Sequence, residues 1–184
     1  MKQVELEYQE LKKIMVDELS KLGTEGLYQR AILATSANDQ VSARRMWFVP
    51  DNLTLYCYTD RGTRKVQQIE SNPNIAVVAG FVQVEGTASL KKHPFDESEF
   101  LNLYEEKYPE KYDNWRSQPN VTRERDLVLI EVKPRRIAMF HYGDPVLGIA
   151  RGLYVLNVEK GTAHRIIDVI SMESRPSEAP AYVV

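Results

Sequence analysis

Tyr58-Thr59-Asp60-Arg61-Gly62-Thr63-Arg64-Lys65 is the stretch on which the reading of this chain turns. A strand ending in Tyr58-Thr59 gives way to a turn at Gly62, and a short helix starts with Thr63 in the N-cap position. A helix start offers unpaired N–H groups and a partial positive charge, which together suit a phosphate. Thr63 adds a hydroxyl. Arg64 and Lys65 put full positive charges in the first turn, where they oppose the helix dipole and cost stability unless an anion sits there. The residue types alone leave two readings open: a phosphate cradle, or a capped surface helix with two solvated basic side chains.

Working outward, residues 63–71 read as a helix with Val66 and Ile69 as apolar positions, broken at Asn72-Pro73-Asn74. Upstream, residues 27–36, 41–49 and 53–59 read as strands separated by Asn38-Asp39 and Pro50-Asp51-Asn52. Downstream, Ile75 to Ala79 reads as a buried strand, and Phe81 to Leu90 alternates with a bulge or bend at Gly86. Pro94 to Tyr112 reads as one helix and residues 113–124 as a polar connection. Leu127 to Val132 is a sixth strand ended by Pro134, and Ile137 to Tyr142 continues the sheet after a kink.

At the N-terminus, Val4, Leu6, Leu11, Ile14, Met15, Leu19 and Leu22 fall near a helical period, so residues 2–22 read as a helix stopped at Gly23. Beyond Gly143, residues 153–158 read as a strand and 164–170 as a strand or short helix. The tail 174–184, with Pro176 and Pro180, is expected to be partly disordered. The expected fold class is mainly β with flanking helices, a six-stranded antiparallel split β-barrel. The expected division is an N-terminal helix (1–24), the barrel (25–142) and a C-terminal extension (143–184). Strands and helices do not alternate regularly, which disfavours a doubly wound parallel fold.

In the 184 residues, 43% are hydrophobic and 27% charged, close to the globular average, which argues against a wholly disordered chain. A net charge of −2 gives no general attraction to nucleic acid, so an anion site must come from a local cluster. The single cysteine, Cys57, excludes an internal disulfide and fits a reducing compartment. Met1-Lys2-Gln3-Val4-Glu5 lacks a signal-peptide layout, and no apolar run approaches the roughly 20 residues needed to span a bilayer. The expectation is a soluble, cytoplasmic protein. His93, His141 and His164 are far apart in sequence, and no metal site is expected.

Arg44-Arg45-Met46-Trp47-Phe48-Val49, Leu55-Tyr56-Cys57-Tyr58-Thr59, Gly62-Thr63-Arg64-Lys65 and Gln68-Ile69-Glu70-Ser71-Asn72-Pro73 together resemble the pyridoxamine 5'-phosphate oxidase family over roughly residues 25–140. The resemblance implies an FMN-binding split barrel, a homodimer with each flavin between subunits, and an oxidoreductase whose flavin accepts a hydride. It implies that Arg44, or Arg45 if the register slips by one, reaches the flavin or its phosphate. Met46 and Trp47 would lie along the ring, Tyr58 and Thr59 beside the ring and ribityl chain, and Thr63, Arg64 and Lys65 around the phosphate. Ile75 to Ala79 and Leu127 to Val132 are the apolar runs expected to need cover from a second subunit.

The departures are specific. The family places a lysine at the end of the second strand for the substrate phosphate, where this chain has Val49. A flavin-touching glutamine of the fifth strand is replaced by Phe81, with Gln83 displaced, and nothing after Gly143 matches the family's C-terminal Trp and Arg-x-His signature. Vitamin B6 oxidation is therefore not expected. Two alternatives stand beside this reading. One keeps the fold and exchanges the cofactor for a deazaflavin with a longer phosphate-bearing tail, served by Arg61 and Arg45. The other, of a different class, is a non-enzymatic flavin or haem carrier or a sensor, with His141 as the axial ligand a haem would need. Tyr104, Tyr108, Tyr112 and Trp115 form an aromatic stripe read as core or dimer contact, with a lid over a pocket as the lesser reading.

Overall fold

The computed structural model describes residues 2–24, 26–118, 122–143 and 149–167. In chain order it contains β1 (Lys2–Leu6), α1 (Tyr8–Ser20), β2 (Ala31–Ala37), β3 (Gln40–Met46), β4 (Val49–Asp51), β5 (Thr54–Asp60) and α2 (Arg64–Ser71). There follow β6 (Asn74–Ala79), β7 (Val82–Leu90), α3 (Ser98–Lys107), α4 (Pro109–Arg116), β8 (Leu127–His141), β9 (Gly152–Asn157) and β10 (Thr162–Ile167). The tail expectation for residues 174–184 lies outside the described residues, as do residues 168–170 of the last expected element.

All pairings are antiparallel, and β8 organises them. Its first half, Leu127 to Val132, lies between β5 and β7; its second half, Arg136 to His141, lies between β7 and β9. The strands run β3-β2-β6-β7-β8, with β5 on the other edge of β8's first half, and these are the six strands of the split barrel. Backbone pairing among the described residues does not close the sheet between β3 and β5. On the far side β9, β10 and β1 extend it, so segments from both ends of the chain belong to the same sheet.

The two strands expected around Pro134 are one strand of 15 residues. Pro134 sits where the outer edge of β8 passes from β5 to β9, so its missing N–H breaks no ladder bond there. Opposite, the register shifts between Glu85 and Gly86, which places an extra residue in β8 and supplies the bend. A Cβ at Gly86 would stand 2.2 Å from the Lys133 carbonyl oxygen, so only glycine lets the two backbones approach this closely.

The strand expected over residues 41–49 is two strands, β3 and β4, and residues 113–116 of the expected polar connection belong to α4; two further expectations are corrected. Residues 2–6 are not the first turns of a helix; they form β1 on the edge of β10, and α1 starts at Tyr8. Val4 and Leu6 satisfy a strand's two-residue period as well as a helix's, and the open β10 edge decides between them. The helix expected over Pro94 to Tyr112 is split into α3 and α4, because Pro109 cannot extend a preceding helix and instead opens the next one.

Leu11, Met15 and Leu19 of α1 close one end of the barrel against Leu33, Leu55, Val77 and Ile130. A second cluster joins Val49, Leu127 and Leu129 to Phe100, Tyr104, Tyr112 and Trp115, and so fastens α3 and α4 to the barrel wall. Gly86→Ala is expected to destabilise the protein by about 2–3 kcal/mol through overpacking against a backbone atom that cannot yield. Urea denaturation checks this, and an unchanged midpoint would show that β7 and β8 are not held together at Gly86.

Candidate functional site

The end of β5 and the start of α2 carry the chemistry. Thr63 occupies the N-cap position with extended backbone angles, but its hydroxyl donates to the Asp60 carbonyl at 2.9 Å and does not cap the helix. Among the described residues the Arg64 and Lys65 amides have no acceptor, so the helix start keeps its N–H groups for another partner. Lys65 Nζ donates to Thr59 Oγ1 at 2.8 Å. Arg64 Nη2 donates to Gln40 Oε1 at 2.8 Å across the β2–β3 turn.

Arg44 stands beside them. Its guanidinium donates to the Leu33 carbonyl at 3.2 Å and to Thr35 Oγ1 at 2.7 Å, and it also bonds Ser42 Oγ. Gln68, buried on α2, completes the arrangement: its amide oxygen accepts from Thr35 at 2.6 Å and Ser42 at 2.7 Å, and its nitrogen donates to the Gln40 carbonyl at 2.9 Å. Burial lowers the Arg44 pKa, with the charge of Arg64 adding to the effect. Burial lowers that of Lys65 too, reinforced by Arg44. None of Arg44, Arg64 and Lys65 forms a salt bridge among the described residues. Arg64 thus repels Arg44 and Arg44 repels Lys65, with the Asp60 carboxylate offsetting this only in part at Lys65, electrostatics that suit an anion.

Thr59 connects this cluster to a cleft of about 520 Å³. Arg45, Met46 and Trp47 of the β3 end, Tyr58 and Thr59 of β5, and Tyr104, Lys111 and Trp115 of α3 and α4 line it. Trp47 and Trp115 flank Tyr104, with ring centroids 4.8 and 5.1 Å away. Burial raises the Tyr58 pKa; the Trp115 indole N–H and Arg30 pull against it. Burial also raises that of Tyr104. Both phenols therefore remain protonated donors near neutral pH.

The sequence candidates thus divide in two. Arg44, Thr63, Arg64 and Lys65 gather around the start of α2, while Arg45, Met46, Trp47, Tyr58 and Thr59 line the cleft. Arg44 and Arg45 point to opposite faces of β3, as successive strand residues must, so one reaches the cation cluster and the other the cleft. Sequence reasoning did not single out Gln68 as a site residue; its signal was a glutamine between the apolar positions Val66 and Ile69. It also left Arg30 and Lys111 unremarked, because only the folded chain brings the segment before β2 and α4 to β5. The aromatic stripe is both core and cleft wall. His141 does not line the cleft. It accepts from the Gly143 amide at 2.9 Å and borders a separate hollow with Tyr28, Phe81 and Tyr142. Arg61 is likewise outside, in an exposed ion pair with Asp126 at 3.1 Å.

The model of the family described as pyridoxamine 5'-phosphate oxidase matches residues 28–141, the span from the approach to β2 through the end of β8. The chain belongs to this family. General stress protein 26 of Bacillus subtilis is 27% identical over 124 residues, covering 61% of this chain and 79% of that protein. Among solved structures, a pyridoxamine 5'-phosphate oxidase-related, FMN-binding protein of Nostoc punctiforme superposes with a TM-score of 0.58 at 17% identity, covering 85% of this chain and 96% of that one. Campylobacter jejuni ChuZ gives a TM-score of 0.57 at 14% identity, covering 85% of this chain and 63% of that one. These two structural likenesses support the fold, an antiparallel β architecture with flanking helices.

Within the family, Val49 marks this chain as divergent. It is 1% exposed, held in the aromatic cluster, and does not line the cleft. A cation cannot act from that position without burial of its charge. Pyridoxine and pyridoxamine 5'-phosphates are accordingly expected to be poor substrates. Fast, saturable formation of pyridoxal phosphate at micromolar substrate would refute this.

Proposed function

We propose that this protein is an FMN-dependent oxidoreductase that works as a homodimer. The observation that carries the reading is the unneutralised cation cluster Arg44, Arg64 and Lys65 at the start of α2, joined through Thr59 to an aromatic cleft. A phosphomonoester dianion at that cluster satisfies the free Arg64 and Lys65 amides and relieves the repulsion among these positive charges. Gln68 acts through Arg44, holding its guanidinium toward the cluster.

Thr59 would stand beside the ribityl chain, and Tyr58, Met46 and Trp47 would stand beside the ring. Among the described residues β3 is the last strand of its side of the sheet, so its outer backbone groups are available to the polar edge of the ring. When bound, the isoalloxazine supplies the hydride-accepting chemistry; the chain supplies orientation, a dry wall and donors. A second reading, a deazaflavin with a longer phosphate-bearing tail, rests on a groove of about 210 Å³ beyond the cluster, lined by Gln40, Arg64, Gln67 and Ser71. Arg61 does not contribute to it. Absorbance of the purified protein and the mass of the released cofactor separate the two.

The dimer reading rests on the outer face of the sheet. Ile32 and Val78 pair across β2 and β6 and remain 42% and 40% exposed, and Val41, Phe81 and Tyr142 are more exposed still. Leu127 to Val132, expected to need a partner's cover, is buried within one chain between β5 and β7. Interfaces of obligate dimers bury on the order of 2,000 Å² or more.

Lys65→Ala is expected to weaken FMN binding by about 1.5–3 kcal/mol, the range for a charge-assisted hydrogen bond, and to leave riboflavin binding nearly unchanged. Calorimetric titration of both ligands checks this; equal losses would remove Lys65 from the phosphate site. FMN-loaded protein is expected to sediment as a dimer at low micromolar concentration, with a melting temperature that rises with added FMN. A fully loaded monomer would refute a shared site.

A further inference from the structure

The cleft extends past the residues assigned to the cofactor. Its far part is built by Arg30, before β2, and by Lys111, Asn114, Trp115 and Gln118 of α4 and its end. Almost every polar side chain there is a donor or an amide. The one carboxylate on the lining, Asp60, is engaged by Arg125 in an ion pair. Arg30 has no hydrogen-bond or ion-pair partner among the described residues, and it acts on the Tyr58 hydroxyl at the cleft floor. Lys111 uses one of its three donors on the Gly23 carbonyl and keeps two.

Trp115 adds an independent observation. It is 2% exposed, it lines the cleft, and its buried indole N–H approaches the Tyr58 hydroxyl without reaching hydrogen-bond geometry, so no acceptor among the described residues satisfies it. A buried donor without an acceptor costs about 1–3 kcal/mol, so folding leaves this group waiting for one. Trp47 and Tyr104, packed on each other with ring centroids 4.8 Å apart, form one aromatic wall beside it.

From this arrangement we propose that the far part of the cleft is the substrate subsite, and that it selects a small conjugated ring bearing a carboxylate, with Lys111, Arg30 and the Trp115 indole N–H as the groups that receive it. The proposal rests on the reading that the near part of the cleft holds the flavin ring. A ring-borne carboxylate lies in the plane of its ring, so it meets in-plane donors while one ring face lies on the aromatic wall. A cationic ring meets three donors and no free carboxylate, and is rejected.

The test titrates FMN-loaded protein with benzoate, benzamide and benzylamine, following perturbation of the visible flavin bands, and repeats the titrations on protein without flavin by tryptophan fluorescence. Benzoate is expected to bind about tenfold or more tighter than benzamide, and benzylamine not to bind, in keeping with a charge-assisted contact. Lys111→Met is expected to remove most of that preference. Trp115→Phe, which keeps the ring and removes only the donor, is expected to weaken benzoate severalfold; FMN affinity should be unchanged in both variants. Equal binding of benzoate and benzamide by a protein that holds FMN would overturn the substrate proposal and leave the cofactor reading standing. Selective benzoate binding by a protein that takes up no FMN would overturn the cofactor reading and leave the anion subsite. Loss of both overturns both.

Discussion

The structure depends on one strand that serves two sets of neighbours. Leu127 to Val132 is buried on both faces between β5 and β7, and the chain then bends at Pro134 opposite Gly86 to offer its second half to β9. The bend requires a glycine without a Cβ on one strand and a proline without an N–H on the other, each placed where its deficiency does no harm. Because β5 hangs from the first half of β8, the position of Tyr58 and Thr59 is set by this pairing. Because β9, β10 and β1 hang from the second half, the N-terminal strand and the last described strands are tied to the same element.

The cation cluster runs against that stability. Arg44 and Lys65 are partly desolvated, and repulsion from Arg64 on Arg44 and from Arg44 on Lys65 further disfavours their charged forms. Natural proteins tolerate such an arrangement where an anion completes it. Gln68 makes it tolerable in the isolated chain, since one buried amide accepts from Thr35 and Ser42 and donates to the Gln40 carbonyl, leaving neither end of its side chain unsatisfied.

The helical hairpin of α3 and α4 does two jobs with one surface. Phe100, Tyr104, Tyr112 and Trp115 bury against Val49 and Leu129, and two of these rings, Tyr104 and Trp115, also line the cleft. Tyr108 donates to the Leu22 carbonyl and Lys111 to the Gly23 carbonyl, which ties the hairpin to the turn after α1. Packing and recognition are therefore coupled, and a change in the wall is felt in the second core.

Much of the barrel was legible in the sequence, because alternation, turn residues and the Gly62-Thr63-Arg64-Lys65 helix start are local signals. Elements β2, β5 to β7 and α2 lie close to where that pattern puts them. The N-terminal strand was not legible, because Val4 and Leu6 fit two periods and only the open edge of β10 chooses between them. The long β8 was not, because whether Pro134 ends a strand or sits at a change of partner depends on neighbours distant in sequence. At the site, sequence alone determined that a cationic helix start follows a strand end, and which residue types stand there. Tertiary structure decided that Arg44 joins that cluster while Arg45 faces the cleft, that Gln68 organises the charges, and that Arg30, Lys111 and Trp115 converge on the same space. Side chains separated by dozens of residues acquire a common environment only when β5, β8 and α4 are packed together, and no local pattern encodes that distance.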